Sequence, residues 1–358
     1  MASDLLVEIA SRHAVHLEGV KTRYAREFQR FLEAMETDIL KRLATVDPQT
    51  ITASRLERLL KAVRGTLDDG YRDYEKVWRQ QLKELAEYEA GFEVRSLQQL
   101  GGDLEFVLPT PNQIFTAAFA QPLSVDGADG GKLLRPFYRD WTNRAKTRIV
   151  NAIRLASAQG QTTAELVRRI RGTRAAKFKD GLIEVANREA QLMARTALQH
   201  IAVQSREVVW EANKRVIKGV EWVSVLDSRT SHICRGLDGQ TFGLKDGPRP
   251  PAHVACRSTV VPALKGKLAR LAEGGEQFAR GDDGPTRVSA DLDYYQWLKT
   301  QSVAFQDDVL GTTRGRLLRD GGLTAERFRE LQLDKNFRPR TLDELRELEP
   351  LAFERAGI

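Results

Sequence analysis

DSRTSHICRGLDGQTF, residues 227–242, and PPAHVACRS, residues 250–258, hold both cysteines of a 358-residue chain, Cys234 and Cys256. Two of its five histidines, His232 and His253, lie in the same stretch. His253-x-x-Cys256 is a ligand pair at metal spacing, and with Cys234 and His232 it can make a Cys2His2 zinc site. The stretch contains no C-x-x-C pair, and its spacing is not that of a standard zinc finger. A disulfide between Cys234 and Cys256 is a competing tether. The plainest alternative is two ordinary buried thiols in a loop held by Pro250, Pro251 and Asp227. Cys234 as nucleophile, His253 as base and Asp227 as orienting acid would suit an enzyme or toxin-like domain. The chain has no G-x-S-x-G, no H-E-x-x-H and no phosphate-binding glycine loop, so the sequence argues against an enzyme.

Working outward, VEWVSVL (residues 220–226) alternates and is rich in Val and Trp, so it reads as a strand, as does STVVPAL (residues 258–264). The cluster then sits in a connection of about thirty residues with no regular structure, and such a loop needs something to tie it down. Arg195, Thr196, Asp227 and Arg257 are candidates for that task. A bidentate Arg–Asp pair would pin the preceding helix to the strand end.

Upstream the pattern is helical. Leu17, Val20, Tyr24, Phe28, Phe31, Met35, Ile39 and Leu43 fall three or four apart and form one stripe on a helix over 3–45. Pro48 ends it. A second stripe runs from Leu56 to Leu85, where Gly65 and Gly70 are expected to weaken or bend the helix. The pair reads as a long antiparallel hairpin, a suitable arm for gripping a partner. Gly101 and Gly102 end it, and an extended segment leads to a short helix from Pro111. VDGADGGK (residues 125–132) is a loop. Helices follow at about 132–158 and 163–171, the latter capped by Thr162 or Thr163 and ended by Gly172. A long helix then spans 183–218. Beyond Leu264, residues 273–291 read as a flexible linker. YYQWLKTQSVAFQDDVLG and LTAERFRELQL read as short helices, and Thr341/Glu344 form a capping box.

The net charge of +7 is unevenly placed. Residues 132–218 carry 19 Lys/Arg against 7 Asp/Glu, an excess of 12, which leaves the rest near −5. Such segregation suits contact with a polyanion. Arg168, Arg169, Arg171, Arg174 and Lys177 are the candidates to lie nearest DNA, although no aromatic-plus-basic stacking pattern accompanies them. A non-specific DNA-binding protein is therefore an alternative reading. No stretch is long and apolar enough to span a membrane. The N-terminus carries no secretory signal, and two cysteines suit a reducing cytoplasm, so the chain is expected to be made there.

One combined pattern resembles a known family. Trp222, Asp227-x-Arg229-Thr230, Cys234, Asp238-Gly239 and Pro250-Pro251-x-His253-x-x-Cys256-Arg257 are similar to the phage Mu F-like head morphogenesis domain. ARTALQHIAVQSREVVWEA and GQTTAELVRRI upstream also look like it, so the resemblance covers roughly 144–264. Family members often carry cysteine where Ser231 and Ser258 stand here, and their joint absence suggests that these positions act together. The resemblance implies a low-copy structural protein of the phage head, inside the virion near the portal vertex. Its partners would be the portal protein, the major capsid or scaffolding protein, and packaged double-stranded DNA. The expected fold is mainly α with a small β element (α+β). Its parts are a helical hairpin (1–110), a linker with a short helix (111–143), the Mu F-like core (144–264) and a helical, loopy tail (265–358). A structural zinc is the one cofactor the residues suggest.

Overall fold

The computed structural model describes residues 4–101, 104–266, 268 and 274–358. The two apolar stripes become α1 (Asp4–Leu43) and α2 (Ala53–Gln98). Of the seventeen positions from Leu17 to Leu43 and from Leu56 to Leu85 that define them, all but Phe31 and Leu56 are buried. Periodic burial of one helix face stabilises such a pair far more than propensity does. The seam is aromatic at its centre. Phe28 stacks on Tyr74 with centroids 3.8 Å apart, and Trp141 from α4 (Leu134–Ala158) meets Phe28 edge-on at 5.2 Å. α2 runs unbroken through Gly65 and Gly70. Gly70 is there for clearance: a Cβ would lie 2.2 Å from the Met35 sulfur, so α1 and α2 pack closely at that point.

α3 (Pro111–Phe119) starts at Thr110, whose side chain forms a capping box with Gln113. α5 (Thr163–Arg171) is capped by Thr162 and ends at Gly172, as expected. α6 (Leu182–Ala212) ends six residues before the expected 218. Asn213 stops it, since its amide bonds Val209 O and both backbone groups of Val107, tying the extended segment 104–110 to the helix end. The chain turns over 213–216 and enters a strand at Ile217.

The β element is larger than two strands. β1 (Ile217–Val223) lies between β3 (Thr241–Gly243) and β4 (Thr259–Leu264), antiparallel to both. Val220 faces Phe242, and Trp222 faces Val260. A second sheet has the order β2 (Leu226–Asp227), β5 (Glu276–Gly281), β6 (Gly284–Ser289). The flexible linker expected over 273–291 is therefore corrected: its described part, from Gly274, is mostly an antiparallel hairpin. β2 supplies an edge for it, with Leu226 opposite Ala279. Nor is the long connection without structure, because it contains β3 and α7 (His232–Leu237). The tail continues through α8 (Tyr294–Lys299), α9 (Val303–Leu310), α10 (Thr312–Asp320), α11 (Ala325–Gln332), α12 (Leu342–Leu348) and α13 (Pro350–Ala356). The fold is mainly α with small sheets.

One apolar cluster runs from Leu6 in α1 to Leu264 in β4 and takes in Ala290 and Leu333, and a second collects Leu226, Ala279 and most of the tail. The hairpin is thus seated on α6 and the first sheet through much of its length. Several polar side chains inside this seat are paired. His13 Nε2 is 2.8 Å from Glu89, and Arg206 lies 3.5 Å from the same carboxylate. Trp210 Nε1 donates to Glu93 at 2.7 Å. Lys21 donates to Glu18 and to Gln199, each at 2.6 Å. Among the described residues no helix is long and apolar enough to cross a membrane.

Candidate functional site: the tethered Cys/His loop

Three side chains converge at the loop. Cys234 on α7 is 3.6 Å, sulfur to sulfur, from Cys256, and 3.3 Å from His253 Nε2. All three ligand atoms lie within 4.8 Å of one another. Both cysteines are buried and free, so no disulfide joins them. Zinc with bonds of about 2.3 Å to sulfur and about 2.0 Å to nitrogen sets neighbouring ligands of a tetrahedron roughly 3.5–3.8 Å apart. Cys234, His253 and Cys256 therefore have the donors and close to the spacing for three corners of a zinc site. His232 does not supply the fourth. It turns away to Gln332 of α11, 3.0 Å from its Oε1, and burial with Arg314 nearby lowers its pKa to about 4. Of the four candidate ligands, the structure brings Cys234, His253 and Cys256 together and leaves His232 apart. Ser231 Oγ accepts the Cys234 N–H, and Ser258 Oγ donates to Ser224 Oγ, which in turn donates to Cys234 O.

Two thiols this close share one negative charge at most. Burial disfavours the Cys256 thiolate, but hydrogen bonds from Cys234 and His253 and the His253 charge outweigh it, holding Cys256 well below the usual thiol value. Its hydrogen bond to Cys256, with burial, pushes Cys234 well above that value. Burial works against the His253 cation, and the Cys256 thiolate more than compensates, raising its pKa.

The backbone around the cluster is held from two sides. Ala255 sits in the left-handed region at φ 57°, a conformation that persists in a non-glycine residue when its surroundings enforce it. Thr196 Oγ1 on α6 accepts the Ala255 N–H at 2.9 Å, and the Cys256 N–H returns to His253 O. The peptide bond before Pro251 is cis. Arg249, which the motif reading passed over, is buried against Glu207 and donates to the carbonyls of Gly243 and Asp246.

The Arg–Asp clamp pairs two of the four candidates, Asp227 and Arg257, and does not include the preceding helix. Asp227, 4% exposed, receives two bonds of 2.7 Å from Arg257. Arg229 and Thr230 add to it. Burial opposes the Asp227 charge, and the Arg257 hydrogen bonds overcome it, holding its pKa below the ordinary carboxylate value. The clamp closes the loop on its own strand end. Arg195 is elsewhere, donating to Glu18 and Thr22 of α1 and so tying the hairpin to α6. Trp222 is fully buried and donates to Ser224. Asp238, also buried, accepts the N–H groups of Ser224 and of Tyr294 on α8, so the loop is the surface on which the tail docks. Arg235 donates to Val309 O, and Tyr294 OH donates to Asp227 O, on that same side.

A Cys234–His253–Asp227 relay is not assembled. His253 Nδ1 faces Val254 O at 3.0 Å, and the Asp227 carboxylate is taken up by arginines. The candidate DNA-facing residues lie far along the chain, on α5 and the loop after it. Arg168, Arg171, Arg174 and Lys177 are exposed and Arg169 is half-buried.

Fold and site together define a helical protein whose central α+β unit is organised around a cross-braced Cys/His loop. Residues 147–261, about a third of the chain, match the family described as Phage Mu protein F like protein. The matched segment begins in α4, ends in β4 and encloses α5, α6, the first sheet and the loop. Over this segment the chain is similar to Phage Mu F-like proteins. No curated protein and no solved structure matches the chain.

Proposed function

We propose that the protein is a minor head protein of a tailed phage. In this reading it is a low-copy structural component of the procapsid and virion interior, near the portal vertex, that assists head assembly. Its partners are the portal protein and the major capsid or scaffolding protein, with packaged double-stranded DNA beside it. It acts as a structural element and not as a catalyst. The observation that carries the reading is that the Phage Mu F-like match falls on one folded unit and takes in its Cys/His loop. The bracing of that loop supports it, since the Asp227 carboxylate is taken up by Arg257 and His253 Nδ1 faces Val254 O, which leaves no Cys–His–Asp relay. Zinc, where it binds, would be held by Cys234, His253 and Cys256 and would lend this loop folding energy.

Quantitative mass spectrometry of purified virions and empty procapsids of the parent phage tests the reading. A few copies in both, lost from particles assembled without portal, are expected. Absence from both kinds of particle would sink it.

A further inference from the structure

We infer that α5 and the loop joining it to α6, residues 163–181, form a binding surface for a nucleic-acid strand, with Phe178 as the platform on which an unpaired base stacks. Arg168 and Arg171 on the helix and Arg174, Lys177 and Lys179 on the loop are all exposed. The acidic groups nearby are engaged. Glu165 closes the capping box with Thr162. Asp180 accepts from the backbone and hydroxyl of Thr173, both at 2.8 Å. Glu36 faces Arg171 at 3.9 Å. Among the described residues, Arg174, Lys177 and Lys179 have no ion-pair partner.

Phe178 is 38% exposed, an apolar ring set among cations. The Arg171 guanidinium lies 5.0 Å from its centroid. The sequence showed no such pairing, because the two residues are seven apart and a turn of loop brings them together. An exposed ring flanked by backbone-neutralising cations is the arrangement that lets proteins hold single strands: the cations follow the phosphates, and every base offers a face to stack.

The loop is also built in advance. Lys177 and Phe178 are consecutive left-handed residues, at φ 51° and 63°. Phe178 N–H bonds Thr173 O at 2.8 Å, and Lys177 N–H bonds Arg174 O at 3.0 Å. The neck admits only glycine: a Cβ on Gly181 would lie 2.3 Å from Arg171 O, and one on Gly172, itself at φ 99°, would lie 2.7 Å from Phe178 O. A loop fixed in this way loses little freedom on binding. An acidic protein surface would need the cations but not the ring, so the ring favours a nucleic acid.

This deepens the reading that places DNA beside the protein, yet its test uses purified full-length chain and is indifferent to whether that chain enters heads. Fluorescence anisotropy would follow binding to a labelled oligothymidylate of roughly 20 nucleotides and to a duplex of similar length, across a salt series. The single strand should bind more tightly, with log affinity falling with log salt at a slope of about −2 to −3.5 for three to five phosphate contacts. Phe178→Ala should weaken single-strand binding roughly 10-fold and duplex binding by less than about 2-fold, while Phe178→Trp retains both. Arg174→Glu with Lys177→Glu should weaken both and flatten the single-strand slope by about 1.4. Polyglutamate should not displace the strand. Wild-type affinity in Phe178→Ala, equal displacement by polyglutamate, or no strand binding by the wild type would each overturn the inference. Phe178 is a surface residue, and an unchanged circular-dichroism melt confirms that its variants are folded.

Discussion

Replacing Arg257 by alanine removes both strong bonds to Asp227 and leaves a carboxylate that is 4% exposed. Breaking a buried pair by deleting one partner costs about 3–5 kcal/mol when the remaining charge is wholly uncompensated. Here Arg229 and Thr230 stay in place, although Arg229 is largely in solvent, so about 2–3 kcal/mol is expected. For a chain of 358 residues, with an unfolding entropy of about 2.1 cal/mol/K per residue, that lowers the thermal midpoint by about 3–4 °C. The loss should depend on pH in a defined direction. The folded pKa of Asp227 is depressed, so its contribution is present above the unfolded value and lost as pH falls through the folded one. The gap between wild type and Arg257→Ala should be full at pH 7 and shrink below about pH 4. Arg257→Lys should recover only part of it, because an ammonium cannot reproduce the planar fork. Differential scanning fluorimetry across pH measures all three. A midpoint within about 1 °C of wild type at pH 7, or a gap that stays constant to pH 3, would falsify the claim that this clamp holds the loop.

Thr196→Val deletes the acceptor of the Ala255 N–H and should cost about 1–3 kcal/mol in urea denaturation; an unchanged midpoint would mean that the bond does not hold the loop. Cys234, His253 and Cys256 should bind about one zinc per chain, and Cys256→Ser should abolish it. Competition with a chromophoric chelator reads this, and retention of zinc by Cys256→Ser would rule the site out. Burial raises Glu93 to about 7 despite Arg206 and the Trp210 bond, with Glu89 also facing it. A raised acid contributes stability below its unfolded value and loses it as pH rises through the folded one, so stability should fall between about pH 4.5 and 7. Glu93→Gln keeps an acceptor for Trp210 and should flatten that fall; a curve as steep as wild type would assign the titration to another group.

The sequence by itself determined the helices and the loop's importance. Stripes such as Leu17 to Leu43 and Leu60 to Leu85 report burial directly, because a helix face repeats every 3.6 residues. Capping signals at Thr162 and Thr341 act within one turn, so they too are legible from local order. The crowding of Cys234, His253 and Cys256 into a short stretch marked the cluster. Tertiary structure alone decided what lay across sequence distance. The hairpin over 276–289 was hidden by its glycines, aspartates and arginines, and it pairs because β2 offers an edge fifty residues away. The partner of Asp227 could have been Arg195 or Arg257, since residue types fix that an Arg–Asp pair is favourable but not which arginine arrives. His232 lies two residues before Cys234, and a rotation of about 100° per residue along α7 turns it to the opposite face, toward the tail. Local order fixes periodicity and caps. Which side chains meet depends on directions set by helix rotation and strand pairing, and those follow from packing the whole core.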